Sequence, residues 1–215
     1  MGLEEKKRRL IESLKMEGML RSPEVIEAMM KVPREEFVLP FYRKEAYNDY
    51  PLPVEGGQTI SAPHMVAMMT ELLDLKRGQR VLDIGTGTGY HAAVMAEIVG
   101  PEGRVYGVER VKDLAERATE TLTRLGYGNV EIYHGDGSVG LEDKAPFDRI
   151  LVACAAPDVP EPLIRQLRDG GKMVIPVGYG TQTLMLVEKS GDKIRKERHG
   201  ECVFVPMIGK HGFRR

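Results

Sequence analysis

Tryptophan is absent from this 215-residue chain, and only two cysteines, two asparagines and four glutamines occur in it. Cys154 and Cys202 lie far apart with no C-x-x-C pair, which argues against a disulfide framework or a cysteine metal site; buried thiols are expected instead. No apolar run approaches the ~18 residues that a membrane span needs, and the first residues lack the apolar stretch of a secretory signal. A cytoplasmic protein without a membrane partner is therefore expected. An excess of charge of one sign is missing too. The 31 basic and 32 acidic side chains leave a net charge of −1, so no global field recruits nucleic acid or anionic lipid. Scarce amides beside abundant Glu, Lys and Arg resemble the composition of heat-adapted proteins.

Several chemical signatures are also lacking. No G-x-x-x-x-G-K-[ST] loop is present to cradle a triphosphate, and no G-x-S-x-G elbow surrounds a serine. Strand ends that hold an amine for methylation often read [DN]-P-P-[YFW]. The corresponding place here reads Ala155-Ala156-Pro157, with no amide or carboxylate, which disfavours an amine acceptor.

What is present is a soluble, core-forming chain, 42% hydrophobic and 29% charged, organised around the ten residues VLDIGTGTGY from Val81 to Tyr90. Val81, Leu82 and Ile84 read as a buried strand. Gly85, Gly87 and Gly89 form a turn and His91 to Val99 a helix. Glycines at this spacing let backbone approach a ligand, and the helix start supplies free N–H groups. Asp83 precedes the turn. A carboxylate there is a poor neighbour for a pyrophosphate but suits the sulfonium and ammonium of S-adenosylmethionine. Twenty residues beyond Gly89, the strand Val105 to Val108 ends in Glu109, where a ribose diol would be held. His134-Gly135-Asp136-Gly137 closes a third strand, where Asp136 could accept from an adenine amino group.

Strands are expected at 80–84, 104–109, 129–134, 147–153 and 171–177, with helices at 90–99, 111–125 and 160–168. This alternation predicts an α/β, Rossmann-like fold, a mostly parallel sheet covered by helices. Thr183 to Lys189 and Lys193 to Val205, joined by Ser190-Gly191-Asp192, read as a C-terminal antiparallel hairpin, as is typical of methyltransferases. Residues 1–76 form an N-terminal helical, substrate-side region, and residues 77–215 the cofactor-binding core. Ser22-Pro23-Glu24 starts one helix of the extension, and Pro40 to Pro53 reads as loop or short extended segments. Gly56 to His64 then places Thr59 and Ser61 at the start of another helix, a terminus suited to an anion. Ser61 fits both a helix cap and a functional role.

QTISAPHM, VLDIGTGTGY, VYGVER, HGDG, FDRILVACAAPDVP and LRDGGKMVIPVG occur in the order and spacing of the protein-L-isoaspartate(D-aspartate) O-methyltransferase family. Over roughly residues 20 to 207 the chain resembles prokaryotic or archaeal members. The resemblance implies methyl transfer from S-adenosyl-L-methionine, leaving S-adenosyl-L-homocysteine, with no metal. The acceptor is the free α-carboxyl of L-isoaspartyl residues in peptides and damaged proteins, and the ester then returns through a succinimide toward aspartate. It further implies that Ser61 is the active-site hydroxyl. Ile60, His64, Asp83, Gly85, Thr86, Gly87, Glu109, Asp136 and Gly137 are implied at the cofactor, and Thr59, Ser61 and Val205 at the substrate. A monomer is expected. A carboxylate nucleophile is ionised at neutral pH, so no general base is needed, and rates should fall only in acid as Asp83 and Glu109 take up protons. A small-molecule O-methyltransferase and a non-catalytic adenosine-binding module are the competing classes.

Overall fold

A computed structural model describes residues 2–214. Three helices lead the chain: α1 (Leu3–Met16), α2 (Pro23–Lys31) and α3 (Pro63–Leu73). Between α2 and α3, Pro40–Glu45 forms a 3-10 helix where loop or extended chain was expected, and β1 (Leu52–Pro53) pairs antiparallel with β2 (Thr59–Ile60). The core alternates as β3 (Arg80–Ile84), α4 (Tyr90–Val99), β4 (Arg104–Glu109), α5 (Lys112–Arg124), β5 (Val130–His134), β6 (Phe147–Val152), α6 (Glu161–Gln166) and β7 (Leu167–Val177). The hairpin β8 (Gln182–Ser190) and β9 (Lys193–Cys202) follows.

Seven strands make one sheet in the order β5-β4-β3-β6-β7-β8-β9. Neighbours are parallel from β5 to β7, and β8 and β9 add antiparallel. The last three strands thus lie side by side in chain order, a feature that sequence alone leaves open. β3 is the switch point: the chain moves outward from it through β4 and β5, then returns to its other side as β6. In open sheets of this kind ligands bind at the carboxyl ends of the strands beside such a point.

β3, β4 and β6 are buried on both faces and read as near-continuous apolar runs. Side-chain alternation divides the core. Val81, Val105, Leu151 and Val174 pack with the N-terminal helices, α4 and α5. Leu82, Ile84, Val108, Ile150 and Val152 face the opposite layer with Leu163 of α6. α5 is amphipathic, burying Leu114, Ala115, Ala118, Thr121 and Leu122. α2 begins where Ser22-Pro23 predicts, yet the Ser22 hydroxyl does not cap it. It bonds Glu71 Oε2 at 2.5 Å, while Glu71 Oε1 accepts the N–H groups of Arg21 and Ser22 at 2.8 Å each. No helix among the described residues is long and apolar enough to cross a membrane.

Candidate active site

The glycine turn is built by hydrogen bonds that leave its inner edge open. Gly85 N–H donates to Val108 C=O at 2.9 Å and Gly89 N–H to Thr86 C=O at 3.0 Å. Gly85, Gly87 and Gly89 all have positive φ, at 78°, 59° and 89°. A side chain at Gly89 would come within 2.9 Å of Leu122 on α5, so this glycine serves helix packing as well as turn geometry.

Two adjoining clefts meet over this turn. The outer one is walled by Thr59, Gly85, Gly87, Glu109, Gly137 and Val205, together with Cys154. The inner one is walled by Thr59, Ile60, Ser61, Thr86, Tyr90 and His91 beside the same glycines. Most of the expected residues therefore converge on one place, although Thr59 to Ser61 and Val205 are far from the glycine turn in sequence. A larger open groove touches Lys76, Arg104 and Asn129 near the amino ends of β3, β4 and β5. It lies away from these groups.

Asp83 sits one residue below Ile84 and is fully buried. Among the described residues neither of its carboxylate oxygens has a hydrogen-bond partner. Burial pushes its carboxyl up to about 7, reinforced by the charge of Glu109. Sequence reasoning placed this protonation in the acid range, and burial moves it toward neutral pH. An acceptor pair without donors fits the ammonium of S-adenosyl-L-methionine, which would supply both charge and N–H groups. Glu109 is better provided for. Its Oε2 accepts the Gly87 N–H at 3.0 Å and its Oε1 the Val111 N–H at 2.8 Å.

Asp136 also holds structure. Its Oδ1 accepts the Ser138 N–H at 2.8 Å and hydroxyl at 2.7 Å, and its Oδ2 the Lys210 N–H at 2.8 Å. Burial alone would raise this carboxyl, but the Lys210 and Ser138 donors outweigh it and hold it below the usual value. The basic C-terminal segment is thus tied to the end of β5; Phe213 stacks edge-on against Tyr179 at 5.2 Å. Arg215 lies outside the described residues. Val205 and Met207 bracket Pro206 against Ala155: Ala155 N–H donates to Val205 C=O at 2.8 Å and Met207 N–H to Ala155 C=O at 2.7 Å.

Ser61 does not cap α3. Ala62 occupies the cap position, and no side chain of its own caps this helix. The terminus is also not free for an anion. Pro63 has no N–H, the His64 N–H donates to Asp49 Oδ1 at 2.9 Å, and the Met65 N–H to Ala62 C=O at 3.1 Å. His64 turns its ring Nδ1 to the same Asp49 oxygen at 2.9 Å and lines neither cleft.

Three residues of the site escape sequence reasoning. Asp49 is the acceptor for α3, across fifteen positions. Arg34 is completely buried and donates from Nη2 to the Ser61 C=O at 2.8 Å and from Nε to the Ala46 C=O at 2.7 Å. His91 lies on the inner cleft with Nε2 2.8 Å from Thr70 Oγ1. Because the Thr70 hydroxyl donates to Val66 C=O at 2.7 Å, His91 Nε2 is assigned as the donor; burial holds the imidazole down to about 3, so it is neutral. A full-length arginine inside an otherwise apolar cluster is a signal that could have found Arg34 only once the VPREEF segment was known to be buried.

Comparisons with known proteins identify the family. The sequence profile of the family described as protein-L-isoaspartate(D-aspartate) O-methyltransferase matches residues 5–212. A protein-L-isoaspartate O-methyltransferase of Methanopyrus kandleri is 58% identical over 208 residues, covering 95% of this chain and 92% of that one. Protein-L-isoaspartate O-methyltransferase 2 of Archaeoglobus fulgidus is 55% identical over 215 residues, covering 100% and 98%. Among solved structures, a putative member from Plasmodium falciparum in complex with S-adenosyl-L-homocysteine superposes with a TM-score of 0.82 at 33% identity, covering 93% of this chain and 97% of that one. The chain belongs to the protein-L-isoaspartate(D-aspartate) O-methyltransferase family.

Proposed function

We propose that this chain transfers a methyl group from S-adenosyl-L-methionine to the free α-carboxyl of L-isoaspartyl residues in damaged proteins. The resulting ester closes spontaneously to a succinimide as the backbone nitrogen displaces methanol, and water opens the ring partly to normal aspartate. The observation that carries this reading is the closure of Thr59 to Ser61 over the glycine turn, above a buried carboxylate that lacks donors.

The residues divide the work as follows. Asp83 holds the ammonium of the cofactor, Glu109 its ribose, and Asp136 with Gly137 the adenine side; Gly85, Thr86, Gly87 and Ile60 give it close walls. When bound, the cofactor supplies an electrophilic methyl carbon on sulfonium. Ser61 donates to one oxygen of the acceptor carboxylate and turns the other toward that carbon, while Thr59 and Val205 hold the acceptor backbone. His64 acts through Asp49, by fixing the start of α3. The acceptor carboxyl, with an ordinary pKa of about 3.3–3.7, is ionised at neutral pH and needs no base. Alignment then supplies the rate, for which proximity can contribute about 7–11 kcal/mol. We take the acting unit to be a cytoplasmic monomer with no nucleic-acid or membrane partner, the helical segment 1–76 forming the acceptor side of a methyltransferase core.

The test is product analysis. An isoaspartyl peptide incubated with the protein and S-adenosyl-L-methionine should pass through its methyl ester and succinimide and accumulate the aspartyl isomer. An ester on any other carboxyl, or none, would refute the proposal.

A further inference from the structure

Arg34 is the fully buried cation beside Ser61, and no acid makes an ion pair with it. Among the described residues no carboxylate lies within ion-pair distance of its guanidinium, and Nη1 is buried without a partner. Its Nη2 and Nε are spent on the neutral carbonyls of Ser61 and Ala46, and its Cζ lies 4.8 Å from the centre of the Tyr90 ring. The acid whose charge reaches it, Asp49, does so from beyond ion-pair distance, alongside Tyr90 and Tyr47. Asp49 is engaged by His64, Tyr47 hydrogen-bonds Glu35, and His91 is uncharged. A buried charge without an ion-pair partner is costly to keep. The start of α3 cannot attract an anion, because its N–H groups are absent or taken.

We propose that Arg34 is a positioning residue which sets the Ser61 backbone and, from behind it, supplies the positive charge that selects a carboxylate acceptor over its amide counterpart. Substrate choice then rests on a charge one layer beneath the hydroxyl. Arg34 need not touch the substrate for this, since a buried charge is weakly screened. The inference depends on the isoaspartyl assignment, which turnover of the isoaspartyl peptide by the unmodified protein tests separately.

The experiment uses protein saturated with S-adenosyl-L-homocysteine and two peptides identical except for an α-carboxylate or an α-carboxamide at the isoaspartyl position. Calorimetry gives the affinity ratio. The unmodified protein should prefer the carboxylate by about tenfold or more, as expected for a weakly screened charge. Arg34→Met should bring the ratio close to one while leaving affinity for S-adenosyl-L-homocysteine unchanged. Arg34→Lys should keep most of the preference, because the charge survives. If the Met variant does not fold, Arg34→Gln carries the same test. A neutral variant with the parental ratio, or a Lys variant that loses it as fully as the neutral one, would overturn the proposal.

Discussion

Glu109 Oε2 accepts the N–H of Gly87 at 3.0 Å, so the acid that ends β4 braces the glycine turn that follows β3. The second oxygen holds the Val111 N–H at the entry to α5. Each oxygen keeps a further lone pair, so bracing and ribose binding are compatible. Glu109→Ala should weaken S-adenosyl-L-homocysteine binding by about 1.5–3 kcal/mol. It should also lower the melting temperature, because two N–H groups lose their acceptor. Calorimetry with unchanged affinity would remove Glu109 from the cofactor site, and an unchanged melting temperature would remove the brace.

Gly107 lies opposite Asp83 in the sheet, and a methyl group there would come within 2.5 Å of Thr86 Oγ1 and 2.6 Å of Ile132 Cδ1. The Thr86 hydroxyl donates to the Asp83 C=O at 3.0 Å, so the strain passes into the glycine turn. Gly107→Ala should cost about 1–3 kcal/mol of stability, the usual range for overpacking. Cofactor affinity should fall with it. Gly128→Ala, at a position with open space, is the control. Equal behaviour of the two variants in thermal unfolding would contradict this packing.

The raised carboxyl of Asp83 makes a pH prediction with a definite sign. Its ordinary value is about 3.9, and burial pushes it up to about 7. Between those values the folded protein holds a proton that the unfolded chain has released, so stability falls as pH rises through the window. The penalty is complete above about 7. A bound ammonium favours the ionised form, so S-adenosyl-L-homocysteine should bind more tightly at pH 8 than at pH 6 and release a proton at pH 6. Single-turnover rates at saturating cofactor should stay flat across the same range. Calorimetry in two buffers of different protonation enthalpy counts the proton, and a count of zero at pH 6 would contradict the account.

Ser61→Ala should lower kcat about tenfold or more while cofactor affinity stays nearly intact, if the hydroxyl acts on the acceptor carboxylate in the transition state. Ser61→Thr should retain activity because the donor survives. Since Ser61 does not cap α3, the alanine variant should also keep its melting temperature. Full kcat in Ser61→Ala would remove the hydroxyl from catalysis.

The core was legible because its signals are local. Valine-rich runs, the glycine turn and the acids at or near the carboxyl ends of β3, β4 and β5 follow one another in the chain, and their spacing alone places them at one end of a sheet. Tertiary pairing altered the edges. A helix was expected over 160–168, but α6 stops at Gln166 because Leu167 already pairs with Phe147 of β6. The expected strand to Val205 ends at Cys202, and Val205 instead joins Ala155. Ser22 and Ser61 both look like caps by sequence, yet Glu71 and Asp49 take over those helix starts from a distance. Asp83 shows the same limit from the other side. Its position in the motif was readable, whereas its lack of donors depends on which side chains the fold brings near.

Rates of methyl incorporation into an isoaspartyl peptide and its aspartyl twin test the central claim most directly. The two isomers differ by one methylene moved between backbone and side chain, which displaces the carboxylate from the Ser61 hydroxyl, and a misplacement of about 1 Å can cost ~100-fold in rate. With labelled S-adenosyl-L-methionine the isoaspartyl peptide should be methylated at least about 100-fold faster than its twin. Equal rates on the two peptides would contradict the assignment.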